Sequence, residues 1–275
     1  MDTIGYHWID EEMTVCTEIA VNTIKEKTYT KVRNSSDGGN ENTNIIYSGK
    51  SGDLDWSIDD KGLLTISGEG DYQDGLNTSY PAWREYRDNI KSAKVNVKNI
   101  TSTRNMFSNC SNMIVVDLDN LDVSKVTDMS SMFYMCSGLK TLDVSGFNTE
   151  SVTNMYNMFC GCSGITTLDV SKFNTGNVTD MSFMFGKCRE LKELDLSGFD
   201  TGKVRNMQAM LGDLNLDELD LSGFNTSNLA NIGFMFGGSS YKTIDLSMFD
   251  MSKIIEARQL VTNCNSLVEL RIPAT

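Results

Sequence analysis

A short segment that returns at almost constant spacing is the feature that most constrains this chain. Residues 142–149 run Leu-Asp-Val-Ser-Gly-Phe-Asn-Thr, and close copies start at residues 168, 194, 219 and 244. With a weaker upstream copy, the aspartates of these segments are separated by 26, 26, 26, 25 and 25 residues. They are Asp117, Asp143, Asp169, Asp195, Asp220 and Asp245. A fixed period of this length indicates a repeat architecture in which each period is one structural unit.

Each period has two halves with different hydrophobic patterns. In the first half, Leu142 and Val144 alternate about Asp143, which is typical of a strand with one buried face. In the second half, apolar residues recur at steps of about three, which predicts a short helix with one apolar face. In the copy after Asp143 these residues are Val152, Met155, Met158, Phe159 and Cys162.

A strand and a short helix cannot bury their apolar faces alone, so successive units must stack. The sequence therefore predicts an α/β repeat fold, a right-handed leucine-rich-repeat solenoid with one parallel strand and one short helix per repeat of 25–26 residues. Its core should consist of columns of like residues. One column is Phe147, Phe173, Phe199, Phe224 and Phe249; a second is Met132, Met158, Met184, Met210 and Met235; a third is Phe107, Phe133, Phe159, Phe185 and Phe236.

The segments outside the repeats divide the chain into three predicted regions. Residues 1–47 form an N-terminal extension with a Ser, Asp, Gly and Asn-rich flexible linker, 48–93 a β-rich cap, and 94–275 the solenoid. Within the cap, residues 54–58 and 63–67 predict a β-hairpin that covers the N-terminal edge of the stack. Residues 90–95 and 267–272 are in phase with the repeat and predict its first and last strands.

Composition excludes several classes of function. The chain has 37 Asp and Glu against 24 Lys and Arg, a net charge of −13, so nucleic acid and anionic lipid are not expected as partners. No run approaches the roughly 20 apolar residues of a membrane span, and no signal peptide is expected at the N-terminus. The single histidine, His7, cannot serve a catalytic triad built on serines in the repeat turns, so no catalytic residue is predicted.

The repeat resembles a known family. Its pattern L-D-[LV]-S-x-F-[ND]-T followed by V-T-x-M-x-x-M-F-x-x-C is similar to the BspA-type leucine-rich repeat of bacterial surface proteins, which includes a domain of unknown function common in mycoplasma lipoproteins. The resemblance covers roughly residues 95–272. It implies a non-enzymatic protein at the cell surface or secreted, with adhesion to host or bacterial proteins as its role. It names no ligand, and fold analogy alone is weak support for a function.

The six repeat aspartates are the candidate ligand-binding residues. Each should point outward from the concave sheet face, roughly 5 Å from the next. Asp117, Asp143, Asp169, Asp195, Asp220 and Asp245 would then form either a solvated strip or an acidic groove for a Lys- and Arg-rich partner. Calcium is a weaker alternative because it needs six to eight converging oxygens. Lys94 and Arg271 replace the acid at the two ends and would neutralise the termini of the column.

Cysteine also follows the repeat. Cys110, Cys136, Cys162 and Cys188 recur every 26 residues and Cys264 returns in phase, whereas Cys16 and Cys160 are outside it. A repeated apolar position is best interpreted as a buried, reduced thiol, although stacked units would bring such residues within disulfide range. Zinc is disfavoured because no second Cys pair or His accompanies Cys160 and Cys162. No metal and no cofactor are predicted.

The sequence leaves three functions open. The first is protein binding or adhesion through the sheet face, and the second is an architectural spacer within a larger surface protein. The third is a carbohydrate-active parallel β-helix enzyme, whose coils have similar length. A binding or enzyme function needs non-consensus residues clustered on one surface, and the nearest candidates, Lys140, Tyr156 and Lys172, are scattered along the repeats.

Overall fold

A computed structural model of the chain describes residues 43–72 and 80–274. The predicted N-terminal extension lies outside the described residues up to residue 42, as do His7 and Cys16. The first strand, β1, spans Ile45–Ser51, so it begins before residue 48, where the β-rich cap was predicted to start.

The N-terminal cap is a meander of three antiparallel strands that leads into the solenoid. After β1 come β2 (Leu54–Asp59) and β3 (Leu63–Glu69), which form the predicted hairpin. The side chain of Asp59 shapes its turn, because Oδ1 accepts hydrogen bonds from the backbone N–H groups of Lys61 and Leu63. The hairpin prediction is confirmed, and β1 adds a strand that the sequence did not indicate.

One sheet joins the cap to the first coils. Strand β3 pairs in parallel with β4 (Ser92–Lys98), and β4 pairs in parallel with β5 (Val115–Leu121). The strand order is β1-β2-β3-β4-β5, so the direction of pairing changes from antiparallel to parallel at β3. The cap is thus hydrogen-bonded directly to the first coil of the stack. Strand β4 confirms the predicted first strand of the repeat region.

A 3-10 helix, Ala82–Asn89, fastens the cap to the core. Its Trp83 is fully buried, and the indole Nε1 donates a hydrogen bond to the carbonyl oxygen of Met106 at 2.8 Å. The ring of Trp83 also lies 6.5 Å from that of Trp56 and 5.6 Å from that of Tyr72, measured between centroids. Three large aromatic side chains therefore close the N-terminal end of the core.

The remaining coils stack in parallel. Strands β6 (Thr243–Asp245) and β7 (Glu269–Arg271) pair in parallel at the C-terminal end, which confirms the predicted last strand. A series of single parallel bridges runs through the stack, joining Ser102, Asp128, Asn154, Asp180, Asn206, Asn231 and Glu256. The fold is a β-solenoid of about eight turns, as the repeat requires. In the middle coils, however, the Leu-Asp segments do not form regular strands.

The predicted helix in each repeat is wrong. Within the described residues the one helix is the 3-10 helix of the cap, and the second half of each coil is a run of turns. Met158 N–H donates to Met155 O and Cys162 N–H donates to Phe159 O, both three residues back. Between them, Phe159 N–H donates to Met184 O in the next coil at 3.0 Å. An α-helix would keep all of these N–H groups within its own segment and leave none to join the coils.

Residues with left-handed backbone conformation (positive φ) maintain this series of turns. Asn157 has φ of 57° and Gly161 has φ of 76°, a conformation that interrupts any right-handed helix. Every coil repeats such a pair four residues apart. The other pairs are Asn105 and Asn109, Ser131 and Met135, Phe183 and Lys187, Ala209 and Asp213, Phe234 and Gly238, and Gln259 and Asn263. The three-residue apolar spacing therefore comes from linked turns.

The core columns form as predicted. The rings of Phe133 and Phe159 stack with centroids 6.0 Å apart, and those of Phe159 and Phe185 are 5.9 Å apart. All members of the three predicted columns are buried. Like residues therefore pack on like residues from coil to coil, and methionine fills the spaces between the phenylalanine columns.

Candidate functional site

The six repeat aspartates occupy equivalent positions in successive coils of the solenoid. In the register of the sheets Asp117 is opposite Lys94, and Asp245 is opposite Arg271. Among the interior members, Asp195 is close enough to feel the charges of both Asp169 and Asp220. We call these six residues the Asp ladder and the surface that carries them the strand-side face. From Asp143 to Asp245 the ladder side chains are exposed.

Each ladder aspartate closes a turn of its own coil. In the five copies from Asp143 onward, Oδ1 accepts a hydrogen bond from the backbone N–H of the serine two residues later, at 2.9 Å. Ser145 adds its hydroxyl to Asp143 Oδ1 at 2.6 Å. These turns are needed because the chain must change direction at the end of each Leu-Asp segment. The ladder thus has a structural role in every repeat.

Hydrogen bonds from the same serines favour the ionised form of the carboxylates. Their hydrogen bonds lower the pKa of Asp143, Asp169, Asp195, Asp220 and Asp245 below the ordinary value. Repulsion between neighbours acts in the opposite direction, as Asp169 does on Asp143, and is the smaller effect. Local hydrogen bonding therefore supports a line of negative charges that mutual repulsion alone would oppose.

The two ends of the Asp ladder carry basic partners. Lys94 Nζ lies 3.6 Å from Asp117 Oδ2, and Arg271 donates to Asp245 Oδ2 at 3.2 Å. In both pairs the base occupies Oδ2, while Oδ1 faces the turn of its own coil. In the part of the chain that the structure describes, no such ion pair is formed by Asp143, Asp169, Asp195 or Asp220.

A groove on the strand-side face adds acidic residues that the sequence reasoning did not single out. It has a volume of about 610 Å³ and lies between two coils that contribute Asp195 and Asp220. Glu193, Asp217 and Glu218 also line it. The signal was an acidic pair directly before Leu219 and a single Glu before Leu194, where the repeats at residues 142, 168 and 244 carry Lys-Thr or Thr-Thr. Lys192 lines the same groove, so acidic side chains outnumber basic ones there.

The cysteine column is part of the core. Cys136 Sγ donates to Phe107 O at 3.1 Å, and Cys162 Sγ donates to Phe133 O at the same distance. Burial raises the pKa of the thiol in both residues, and raises that of Cys110 to about 12. All cysteines in the described ranges are free thiols, in agreement with the prediction of buried, reduced residues. Protonated thiols held on carbonyl groups are poor nucleophiles and poor metal ligands.

The residues that the structure describes contain neither a metal-binding group of side chains nor a membrane-spanning helix. Among residues 43–72 and 80–274 no three His, Cys, Asp or Glu side chains are grouped so as to hold a metal ion. In those two ranges no helix is long and apolar enough to span a bilayer.

Comparison with known families bears on the repeat unit itself. A family described as "Mycoplasma protein of unknown function, DUF285" matches the chain at residues 76–167 and again at 161–270. The two matches together span well over half of the sequence. The chain belongs to this family. The resemblance to a mycoplasma domain of unknown function is therefore confirmed.

Two solved structures are similar to the chain. One is a leucine rich cell surface protein from Faecalibacterium prausnitzii A2-165, with 16% identity and a TM-score of 0.38, over 81% of this chain and 54% of that one. The other is a leucine-rich repeat protein from Eubacterium ventriosum ATCC 27560, with 17% identity and a TM-score of 0.20, over 81% and 83%. The chain thus spans about half the length of the first of these proteins. No curated protein matches the chain.

Proposed function

We propose that this protein is a non-enzymatic bacterial surface protein that binds a basic segment of another protein through its strand-side face. Family membership supports the repeat fold, and the resemblance to BspA-type repeats supports the location at the cell surface. Adhesion to a host or bacterial surface protein is the role that follows. The ligand-binding residues would be the Asp ladder and the acidic groove that continues it.

The ion pairs at the two ends of the ladder carry this proposal. Lys94 and Arg271 show where a basic side chain sits, which is against the outward oxygen Oδ2 of a ladder carboxylate. In the interior members of the ladder, Oδ1 accepts a hydrogen bond from the backbone N–H of the serine two residues later in the same way. These members are Asp143, Asp169, Asp195 and Asp220. A basic partner would need no rearrangement of these carboxylates, so little conformational entropy is lost on binding.

The acidic groove extends the charged surface. Glu193, Asp217 and Glu218 stand beside the ladder members Asp195 and Asp220. Acidic side chains outnumber the one lysine, Lys192, in this recess, although Asp217 is already paired with Lys242 at 2.8 Å. A net negative recess speeds encounter with a positively charged partner. We expect the tightest contact in these two coils.

A probe peptide tests the proposal directly. The triple variant Asp143→Asn, Asp169→Asn and Asp195→Asn should bind a fluorescein-labelled decalysine peptide about tenfold more weakly than the wild type, with a flatter dependence on salt. Asparagine can still accept the serine N–H, because Asn148 and Asn174 accept the same type of bond at 3.1 and 3.2 Å. Fluorescence anisotropy at several salt concentrations is the measurement.

The matched control removes the same charge elsewhere. Asp122, Asp200 and Asp250 close equivalent turns at another corner of the coil, through Oδ1 and the N–H two residues later. Their triple Asn variant changes the net charge equally and should bind decalysine nearly as well as the wild type. Equal loss in both variants would mean that only the overall charge attracts the peptide, and would contradict the proposal.

The second candidate function is an architectural spacer. The observation that favours it is the hydrogen bond from serine to each ladder aspartate, since this bond explains the repeated aspartate without any ligand. A spacer predicts that the ladder variant binds decalysine no more weakly than the control variant does, while both keep a thermal stability near that of the wild type because asparagine closes the same turns. The two functions are therefore separated by the same pair of variants.

A further inference from the structure

The strand-side face carries residues that depart from the repeat pattern. The two positions directly before each Leu-Asp segment hold Lys-Thr or Thr-Thr in the copies at residues 142, 168 and 244. The coil of β5 holds Ile114 and Val115 there instead, and the two coils of the acidic groove hold Lys-Glu and Asp-Glu. A binding function needs such departures to lie on one surface, and these do.

Ile114 and Val115 form an exposed apolar pair. Their side chains are 58% and 48% exposed. In β5, Val115 and Asp117 flank Val116, which packs against the core, so both of them point to the strand-side face. Ile114 occupies the position that Lys192 holds in the acidic groove, so it borders the same face. The apolar pair and the Asp ladder therefore share one surface.

The chemistry of this face changes in steps along the stack. After the apolar pair, the next two coils place Thr141 and Thr167 at the position of Val115. The two coils after those place Glu193 and Glu218 there, and both line the acidic groove. Neighbouring strands are about 4.8 Å apart, so three coil steps separate the apolar pair from the groove by about 14 Å. An extended polypeptide covers that distance with roughly four residues.

We propose that the strand-side face binds a segment of another protein that carries apolar side chains at one end and Lys or Arg at the other. This inference rests on the proposed function and adds to it a second contact and a direction. The apolar end packs on Ile114 and Val115, and the basic end lies over the acidic groove. Burial of apolar area adds affinity at one end, and opposite charges fix the orientation at the other. A second copy of this chain fits poorly, because its net charge of −13 would bring like charges together.

Two fluorescein-labelled peptides test the apolar contact. One has two leucines, three serines and four lysines in that order, and in the other the leucines are replaced by serines. In fluorescence anisotropy the full chain should bind the leucine peptide about fivefold more tightly, because its apolar side chains leave water on binding. The double variant Ile114→Thr with Val115→Thr copies Thr166 and Thr167, keeps the charge, and should bind the two peptides equally. Met248→Gly removes an exposed apolar side chain in a distant coil and should keep the preference.

Photo-crosslinking tests the direction of the bound segment. A benzoylphenylalanine in place of the first leucine should crosslink to the coil of Ile114, and one placed after the last lysine should crosslink to the coils of Glu193 and Glu218. Tandem mass spectrometry locates the crosslinked residues. Crosslinks from both ends of the peptide to all of these coils would overturn the direction.

The outcomes separate this inference from the proposed function. If the wild type binds both peptides equally and the triple Asn variant of the ladder loses both, the acidic contact stands and the apolar contact is overturned. If the wild type binds neither peptide, both proposals are overturned. Self-association in sedimentation velocity that the Thr variant abolishes would assign the apolar pair to a second copy and would also overturn this inference. Circular dichroism melting curves confirm that each variant is folded.

Discussion

At its N-terminal end the solenoid core is closed by the strands β1, β2 and β3 and by the 3-10 helix, whereas among the described residues no further element packs on the last coil. The first end buries Trp83 and Tyr72 almost completely. The second leaves Leu260 and Leu267 half-buried and Leu270 40% exposed. Repeats of nearly the same sequence thus have different local stability, because each coil depends on the neighbours that cover it.

The largest effect on stability should come from removing a side chain that closes the N-terminal end of the core. Trp83→Ala removes a fully buried ring and its hydrogen bond to Met106 O, and should lower the free energy of unfolding by about 3–5 kcal/mol. Trp83→Phe keeps most of the packing and loses the hydrogen bond, so it should cost about 1 kcal/mol. Urea denaturation followed by circular dichroism gives both values. A loss under 1 kcal/mol for the alanine variant would show that the cap contributes little to the stack.

The second prediction compares the stability contributed by the methionine column in two different coils. Met235 is fully buried, and Leu260 holds the same position in the last coil but is half-buried. Met235→Ala should destabilise the protein by about 2–4 kcal/mol, and Leu260→Ala by about half as much, because less apolar area is lost. The two variants are measured by the same denaturation experiment. Equal losses would indicate that Leu260 is covered in solution as completely as Met235, and would contradict the difference in burial between the two coils.

These contrasts also show what the sequence could predict. The columns of Phe and Met were predictable because burial repeats with the period, and the Asp ladder because its spacing is regular. The helix was predicted wrongly because Met155 and Met158, three residues apart, fit an α-helix as well as two linked turns. The two structures differ in the sign of φ, and the spacing of apolar residues carries no information about that sign. Asn157 and Gly161 were a usable signal, since both residue types tolerate left-handed φ.

Some left-handed positions in other coils gave no such signal. Phe183 and Phe234 occupy the same left-handed position with φ of 58° and 56°, although aromatic residues rarely adopt it. The neighbouring coils impose the conformation, so tertiary contacts override local preference. The acidic groove was missed for a related reason. It needs Glu193 and Glu218 from different coils to face one recess, which depends on how the two coils stack.

A smaller contrast concerns thiol reactivity in the last coil. Cys162 and Cys264 each donate to a phenylalanine carbonyl in the preceding coil, but Cys162 is fully buried and Cys264 is only partly so. Burial raises the pKa of both thiols, so little thiolate is present at pH 8. Access should then decide the rate, and iodoacetamide should label Cys264 at least about tenfold faster than Cys162. Peptide mass spectrometry over a time course at low protein concentration measures the two rates. Similar rates would mean that the whole stack opens together.

The smallest effect concerns acid and the Asp ladder. Because the folded protein lowers the pKa of Asp169, ionisation of this carboxylate stabilises the fold above the ordinary aspartate pKa of about 4, and the contribution is lost as the pH falls through the lowered value. Asp169→Asn should melt within about 1–2 °C of the wild type at pH 7, since asparagine can close the same turn. Between pH 4 and pH 2 the variant should lose less thermal stability than the wild type.

Asp245, next to the last coil, sharpens this test. Serine hydrogen bonds lower its pKa first, and Arg271 lowers it further, so Asp245→Asn loses an ion pair that Asp169→Asn does not. At pH 7 the Asp245 variant should therefore melt at a lower temperature than the Asp169 variant, and salt should reduce the difference. Differential scanning calorimetry at two salt concentrations measures it. If the two variants are indistinguishable, the exposed pair with Arg271 contributes nothing to folding.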